Sequence, residues 1–277
     1  MWAHRAWQGR FLPDGLGRAE QLAAYATWCS AVEGNTTFYG LPSAATVRSW
    51  ARVTPEDFRF VFKLPRAVTH DRRLHDVTEH MREFLSTIEP LGARARTLSV
   101  QLPASFGPDG VETLDRFLAR MPTEHRCGVE VRHPAFFDPE NRRAAEQLES
   151  VLSARGAEWI SFDTTVLFSA PPTSEAERDG WEKKPRLPRH TRALGDEPIV
   201  RYVGRDDVAT TVEGWQPWID VVVGWLREGR RPTFFLHTPD NDDALGLARR
   251  FHEQVRAVVA DLDPLPQPVE AGPTTLF

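Results

Sequence analysis

The alternation of short apolar runs with longer amphipathic stretches predicts an α/β chain, specifically a TIM-type β/α barrel. It would form one domain over residues 1–262, followed by a Pro-rich tail, 263–277. Three observations carry this reading. Seven strand-like runs rich in Val, Ile, Phe and Leu recur along the chain. Helix-like segments separate most of them, the pattern of βαβ units and a parallel sheet. A length of 277 residues suits a single barrel.

The strand-like runs are Ala31–Asn35, Phe58–Lys63, Thr97–Gln101, Gly128–Arg132, Trp159–Asp163, Ile199–Val203 and Thr233–His237. Helical spacing of apolar residues marks Arg18–Ser30, Ala44–Arg52, Thr78–Leu91, Val111–Arg120, Arg142–Arg155, Trp215–Gly229 and Asp242–Ala260. A closed barrel needs eight strands. The missing one belongs at the start, where MWAHRAW contains no apolar run. An open seven-stranded sheet is the alternative. A closed form with its first strand missing or truncated would leave a gap between the first and last strands seen. Two segments break the rhythm. Thr164–Glu197 reads as a long, polar, Pro-rich connection carrying Lys183, Lys184, Arg186, Arg189, His190 and Arg192. Asp263–Phe277 holds four prolines and reads as extended and mobile.

Composition excludes several classes. Hydrophobic residues make up 41% and charged residues 26%, an ordinary globular balance. The net charge of -5 gives no bulk support for nucleic-acid or membrane binding, so nucleic acid is disfavoured as a partner. No run approaches a membrane span, and the first residues lack the apolar core of a signal peptide. The two cysteines, Cys29 and Cys127, form no CxxC pair. They read as reduced thiols of a cytoplasmic protein. GxSxG, Walker A and GxGxxG motifs are absent, which argues against serine hydrolase, P-loop and Rossmann chemistry.

Alternation along each strand locates the chemistry. Glu33 and Asn35 share a face, and Lys63, Gln101, Glu130, Arg132, Asp163, Arg201 and His237 each oppose apolar neighbours. Every run therefore carries, at or near its C-terminal end, a polar residue assigned to the inner face, while its apolar face is free to pack on helices. Barrel enzymes draw their catalytic residues from such strand ends. The competing reading is a structural network: Glu33, Glu130 and Asp163 supply three negative charges, and Lys63, Arg132 and Arg201 three positive ones. Buried charges must pair in either case.

Candidate acids and bases are Glu130, Glu33, Asp163 and His70; His133 follows the fourth run and is placed with the ligand-binding residues. Gly204 and Arg205 follow the sixth run, where backbone N–H groups and an arginine suit a phosphate. Phe38 and Tyr39 sit where they can line the pocket mouth. A metal set of Glu33, Glu130, Asp163 and His237 is chemically conceivable, but no HExxH or His-x-His spacing supports it.

Six ordered segments then carry a resemblance: EGNTTFYGLPSAATVRSW, FRFVFKLPRAVTHDRRL, QLPASFGP, GVEVRHPAFF, IVRYVGRDD and FFLHTPDN. The chain resembles the YecE-like family of uncharacterised proteins, and the likeness extends over nearly its whole length. The resemblance implies a TIM barrel and no particular reaction. Its motif residues fall on Glu33, Asn35, Thr37, Tyr39, Lys63, His70, Gln101, Glu130, Arg132 and Arg201. Two features depart from the family pattern. Leu236-His237-Thr238 stands where many members carry an Asn-Asn pair. The short first strand of the family has no counterpart, so either the true start lies upstream of Met1 or the barrel lacks that strand.

The expected function is that of an enzyme acting on a small phosphate- or carboxylate-bearing molecule at the C-terminal ends of the strands. The alternatives are a metal-dependent, nuclease-like barrel acting on nucleic acid and a non-catalytic ligand-binding or adaptor protein. For the adaptor, the terminal Leu276-Phe277 resembles short motifs that dock on bacterial sliding clamps, without the glutamine those motifs favour.

Overall fold

A computed structural model of the chain describes residues 2–268. Its strands are β1 (Ala31–Gly34), β2 (Arg59–Lys63), β3 (Thr97–Gln101), β4 (Arg126–Glu130), β5 (Glu158–Trp159), β6 (Ser161–Asp163), β7 (Ile199–Val203) and β8 (Thr233–His237). The helices are α1 (Arg18–Tyr25), α2 (Thr36–Tyr39), α3 (Ala44–Val53), α4 (Thr78–Ile88), α5 (Val111–Leu118), α6 (Arg143–Ala154), α7 (Glu175–Lys183), α8 (Val208–Gly214), α9 (Gln216–Arg227) and α10 (Ala244–Arg256).

The strands form two parallel sheets in sequential order, β1-β2-β3-β4-β5 and β6-β7-β8. The expected run Trp159–Asp163 is the junction. It is broken at Ile160, whose N–H still donates to Val129 O at 2.9 Å. Before the break the run pairs with β4, and after it with β7. The seven expected strands thus account for all eight named ones, and among the described residues β1 and β8 each keep one edge without a ladder partner. Between those two edges lies a cavity of about 630 Å³, walled by Ala31, Glu33, Thr233, Phe235, α10 and Leu262–Pro266.

Register fixes which side chains share a face, because residues paired across a parallel ladder point the same way. Val61, Ile160, Ile199 and Phe235 form an inner apolar plug with Ala31 at its edge. On the outer face, Val32, Phe60, Phe62, Leu98, Val100, Val129 and Tyr202 join the helices in the main core. There Trp50 of α3 stacks on Phe60 and Phe62 at 6.1 Å each. Each fully buried ring contributes roughly 2–3 kcal/mol of transfer free energy.

The expected helices appear within a few residues of their expected ends, with α4 passing into a 3-10 segment, Glu89–Ala95. The connection Thr164–Glu197 is different from its expectation: it contains α7. Ser174 caps α7 by accepting from Glu177 N at 3.0 Å. Residues 263–268 carry no helix or strand. They lie against α10, where Arg249 Nη1 donates to Pro266 O at 2.8 Å and His252 Nε2 sits 2.9 Å from Asp263 O. Leu276-Phe277 and Met1 lie outside the described residues.

Candidate functional site: a buried charge cluster at the strand ends

Arg201 on β7 is the hub. Its Nη1 donates to Glu130 Oε2 at 2.5 Å and its Nη2 to Glu33 Oε2 at 3.1 Å. A further close ion pair joins Arg201 Nε to Glu33 Oε1. Arg132 Nε donates to Glu130 Oε1 at 2.7 Å. Both guanidinium groups lie 5.0 Å above the Phe162 ring, which floors the cluster. Lys63 Nζ is 3.8 Å from Glu33 Oε2, and His237 Nε2 is 3.6 Å from the same oxygen.

The protonation states follow from this packing. Burial pushes the Glu33 carboxyl up, but Arg201, then Lys63 and His237, hold it well below the usual carboxylate range. Burial acts likewise on Glu130, and Arg132, Arg201 and Lys63 outweigh it, bringing the group to about 2. Burial, reinforced by Arg201, lowers Lys63 to about 8, although Glu33 and Glu130 pull the other way. Burial takes His237 down to about 3, so its ring is neutral near pH 7.

Asp163 requires a correction. Phe162 pairs with Arg201 and Asp163 with Tyr202, so Asp163 points outward. There its Oδ2 accepts from Trp218 Nε1 at 2.7 Å and from Arg189 Nε at 2.7 Å. The run carries apolar residues on both faces, so alternation alone could not choose between them. The consequence is electrostatic. The balance of three charges against three becomes two carboxylates, Glu33 and Glu130, against the three cations Lys63, Arg132 and Arg201.

The Gly204-Arg205 segment is not free to bind an anion either. Gly204 N donates to His237 O at 2.8 Å, and Arg205 N to Thr211 Oγ1 at 2.8 Å. A Cβ at Gly204 would stand 2.4 Å from the Thr211 side chain, so the glycine serves packing against α8. Arg205 is buried and donates to both oxygens of Glu177, at 3.0 and 2.6 Å, and to Ala170 O and Pro171 O. These contacts tie α7 to the end of β7.

Other expected residues divide. Asn35 and Gln101 end up beside the cluster, following β1 and closing β3, and Asn35 Oδ1 and Gln101 Oε1 are buried with no hydrogen-bond partner among the described residues. Thr37 is fully buried and structural: its hydroxyl lies 2.7 Å from Lys63 O and 3.0 Å from Gly34 O, pinning the end of β1 to that of β2. Tyr39 is 83% exposed, edge-on to Phe38, which in turn meets the His70 ring at 4.9 Å. Burial, Arg132 and Arg66 lower the pKa of His70, which places it within electrostatic reach of the cluster. His133 Nδ1 accepts from Ala135 N at 3.2 Å and caps the following turn. Glu33, Glu130, Asp163 and His237 do not converge on a metal position, since Asp163 is on the outer face.

Two contributors escaped the alternation argument. Phe162 was assigned to the outer face and is instead the floor. Lys184, just past α7, lies near enough to Arg201 and Arg132 that they add to burial in lowering its pKa. Its signal is compositional: the chain has three lysines, Lys63, Lys183 and Lys184, against thirty-one arginines.

Fold and site together define a parallel α/β protein with a buried, net positive cluster at the strand ends. The chain belongs to the family described as "Protein of unknown function DUF72", whose model matches residues 1–270. It is 35% identical over 265 residues to the UPF0759 protein YecE of Escherichia coli K12 and of Escherichia coli O157:H7, covering 96% of this chain and 94% of each relative. Among solved structures it is similar to a DUF72 family protein from Thermotoga maritima MSB8, at TM-score 0.67 and 23% identity, covering 94% of this chain and 97% of that one. A DUF72 family protein from Enterococcus faecalis V583 matches at TM-score 0.63 and 18% identity, over 87% of this chain and 94% of that one. At these identities the structural likeness establishes the fold alone.

Proposed function

We propose that the chain is a single-domain β/α barrel enzyme acting in the cytoplasm on a small molecule that carries a carboxylate or phosphate. One observation carries the reading: a buried cluster with two carboxylates and three cations has an uncompensated positive charge. Isolated buried charge is expensive, several kcal/mol per ion even after relaxation. A bound anion would neutralise it, and Lys184 at the rim adds further attraction. The barrel reading is supported by the seven sequential parallel strand positions and by the facing free edges of β1 and β8. Arg132 and Lys63 would hold the anion, because Arg201 is already committed to two carboxylates. His70 is the candidate acid or base: it is half-buried and has a neutral ring near pH 7.

The test is a melting experiment with inorganic phosphate and a panel of small carboxylates and phosphate esters. Binding at a hundred times Kd should add about 2.7 kcal/mol of stability, a rise in Tm of several degrees for a chain of this size. Arg132→Gln should weaken the response at least tenfold in half-saturating concentration. A panel without any shift would overturn the reading.

A further inference from the structure

Arginine outnumbers lysine thirty-one to three in this chain, yet the one cation of the cluster that is least committed is a lysine. Arg201 and Arg132 donate short hydrogen bonds to Glu33 and Glu130. Among the described residues Lys63 makes a single ion pair, at 3.8 Å to Glu33, and no side-chain hydrogen bond. Were charge all that this position required, arginine would serve it better, because its fork pairs with carboxylates at two points. What lysine offers and arginine cannot is an amine that loses its proton and attacks carbon.

We propose that Lys63 is a nucleophilic amine that forms an imine with a small carbonyl compound bearing a carboxylate or phosphate. The proposal rests on the anion-binding reading above and adds a carbonyl group to the ligand.

The surroundings fit this chemistry. Lys63 closes β2, and its backbone is held on both sides: its carbonyl accepts from Thr37 Oγ1, and Leu64 N donates to Ser99 O at 3.0 Å. Lys63 is 8% exposed and lies near Arg201 and Arg132, and burial and these cations outweigh Glu33 and Glu130 in favouring the neutral amine. Burial and Arg201 together bring it to about 8, so roughly a tenth of the molecules carry a free amine at pH 7. Asn35, just past β1, and Gln101, closing β3, flank β2, and their buried acceptor oxygens have no partner among the described residues. They are placed to accept from the hydroxyl of a carbinolamine. In the reaction the neutral Nζ forms a bond to the carbonyl carbon while the carbonyl oxygen gains a proton. The nitrogen then releases one proton, the hydroxyl takes up a second proton and leaves as water as the C–O bond breaks, and the nitrogen gives up its remaining proton to leave the imine. The net change is amine plus carbonyl to imine plus water, with no oxidant or reductant.

The experiment is reductive trapping of the full-length chain with cyanoborohydride, using pyruvate as the carboxylate probe and pyridoxal 5′-phosphate as the phosphate probe, followed by peptide mapping by mass spectrometry. The expected result is an adduct on the Lys63 peptide, formed at least tenfold faster than on Lys183 or Lys184 and slowed by added phosphate. Lys63→Arg, which keeps the charge, should lose the adduct while still melting cooperatively; the wild-type map alone decides the matter if that variant does not fold. Absence of a Lys63 adduct with both probes, or equal labelling of all three lysines, would overturn the proposal. If any anion of the panel still raises Tm in that case, the anion reading survives without the imine; if none does, both fall together.

Discussion

At the residue scale, Lys63 and Glu130 have opposite relations to the cluster. Lys63 is an amine held below its ordinary pKa, so between about 8 and its unfolded value near 10.5 the unfolded chain binds more protons than the folded one. Stability therefore rises with pH across that window. Measured against Lys63→Met by urea unfolding, the wild type should gain stability from pH 8 to pH 10, on the order of 3 kcal/mol at most. A flat difference would place Lys63 in a more hydrated setting than its burial indicates. Glu130 is a carboxylate held below its ordinary pKa, so its contribution is present near neutrality and is lost as pH falls toward about 2. Glu130→Gln leaves one carboxylate facing three cations and should cost about 3–5 kcal/mol. Added phosphate should restore part of that loss; a cost under 1 kcal/mol would contradict the paired geometry. Candidate site residues on most strands were legible because alternation is rigid along a strand. Asp163 was not, because its strand buries both faces and only the pairing of Phe162 with Arg201 decides the orientation.

At the element scale, α7 shows how a polar segment becomes ordered. Its sequence, EAERDGWEK, is too polar to mark a helix by apolar spacing. Ser174 and Glu177 have the S-x-x-E spacing of a helix start, which the reading of this segment as a plain connection did not use. What holds the helix is remote: Arg205, beyond β7, grips Glu177, and Trp181 Nε1 donates to Leu167 O at 2.8 Å. Ser174→Ala should cost about 1 kcal/mol, the usual worth of a cap. Glu177→Gln should cost about 3 kcal/mol, because it leaves Arg205 buried against a neutral partner. Equal losses in urea unfolding would contradict this ranking. Since Lys184 directly follows α7, Glu177→Gln should also weaken the anion response.

At the scale of the whole molecule, the unpartnered edges of β1 and β8 are the weak seam. Amides there have a ladder on one side only, whereas those of β3 and β4 lie between neighbours. In native-state hydrogen exchange, β1 and β8 should lose protection before β3 and β4. Uniform protection across all four would mean that the seam is covered in solution.

The sequence by itself determined the seven strand positions and the helices that carry an apolar stripe, but not α2, α7 or α8, since periods of two and of three to four residues are local properties that survive in any tertiary setting. It also placed Glu33, Lys63, Glu130, Arg201 and His237 at strand ends on one face. Only the tertiary structure decided the charge balance. It turned Asp163 outward to Trp218 and Arg189 and bound Arg205 to Glu177, leaving three cations around two carboxylates. Those partnerships span tens of residues, and the electrostatics of a buried site depend on which charges share it rather than on which charges the chain contains.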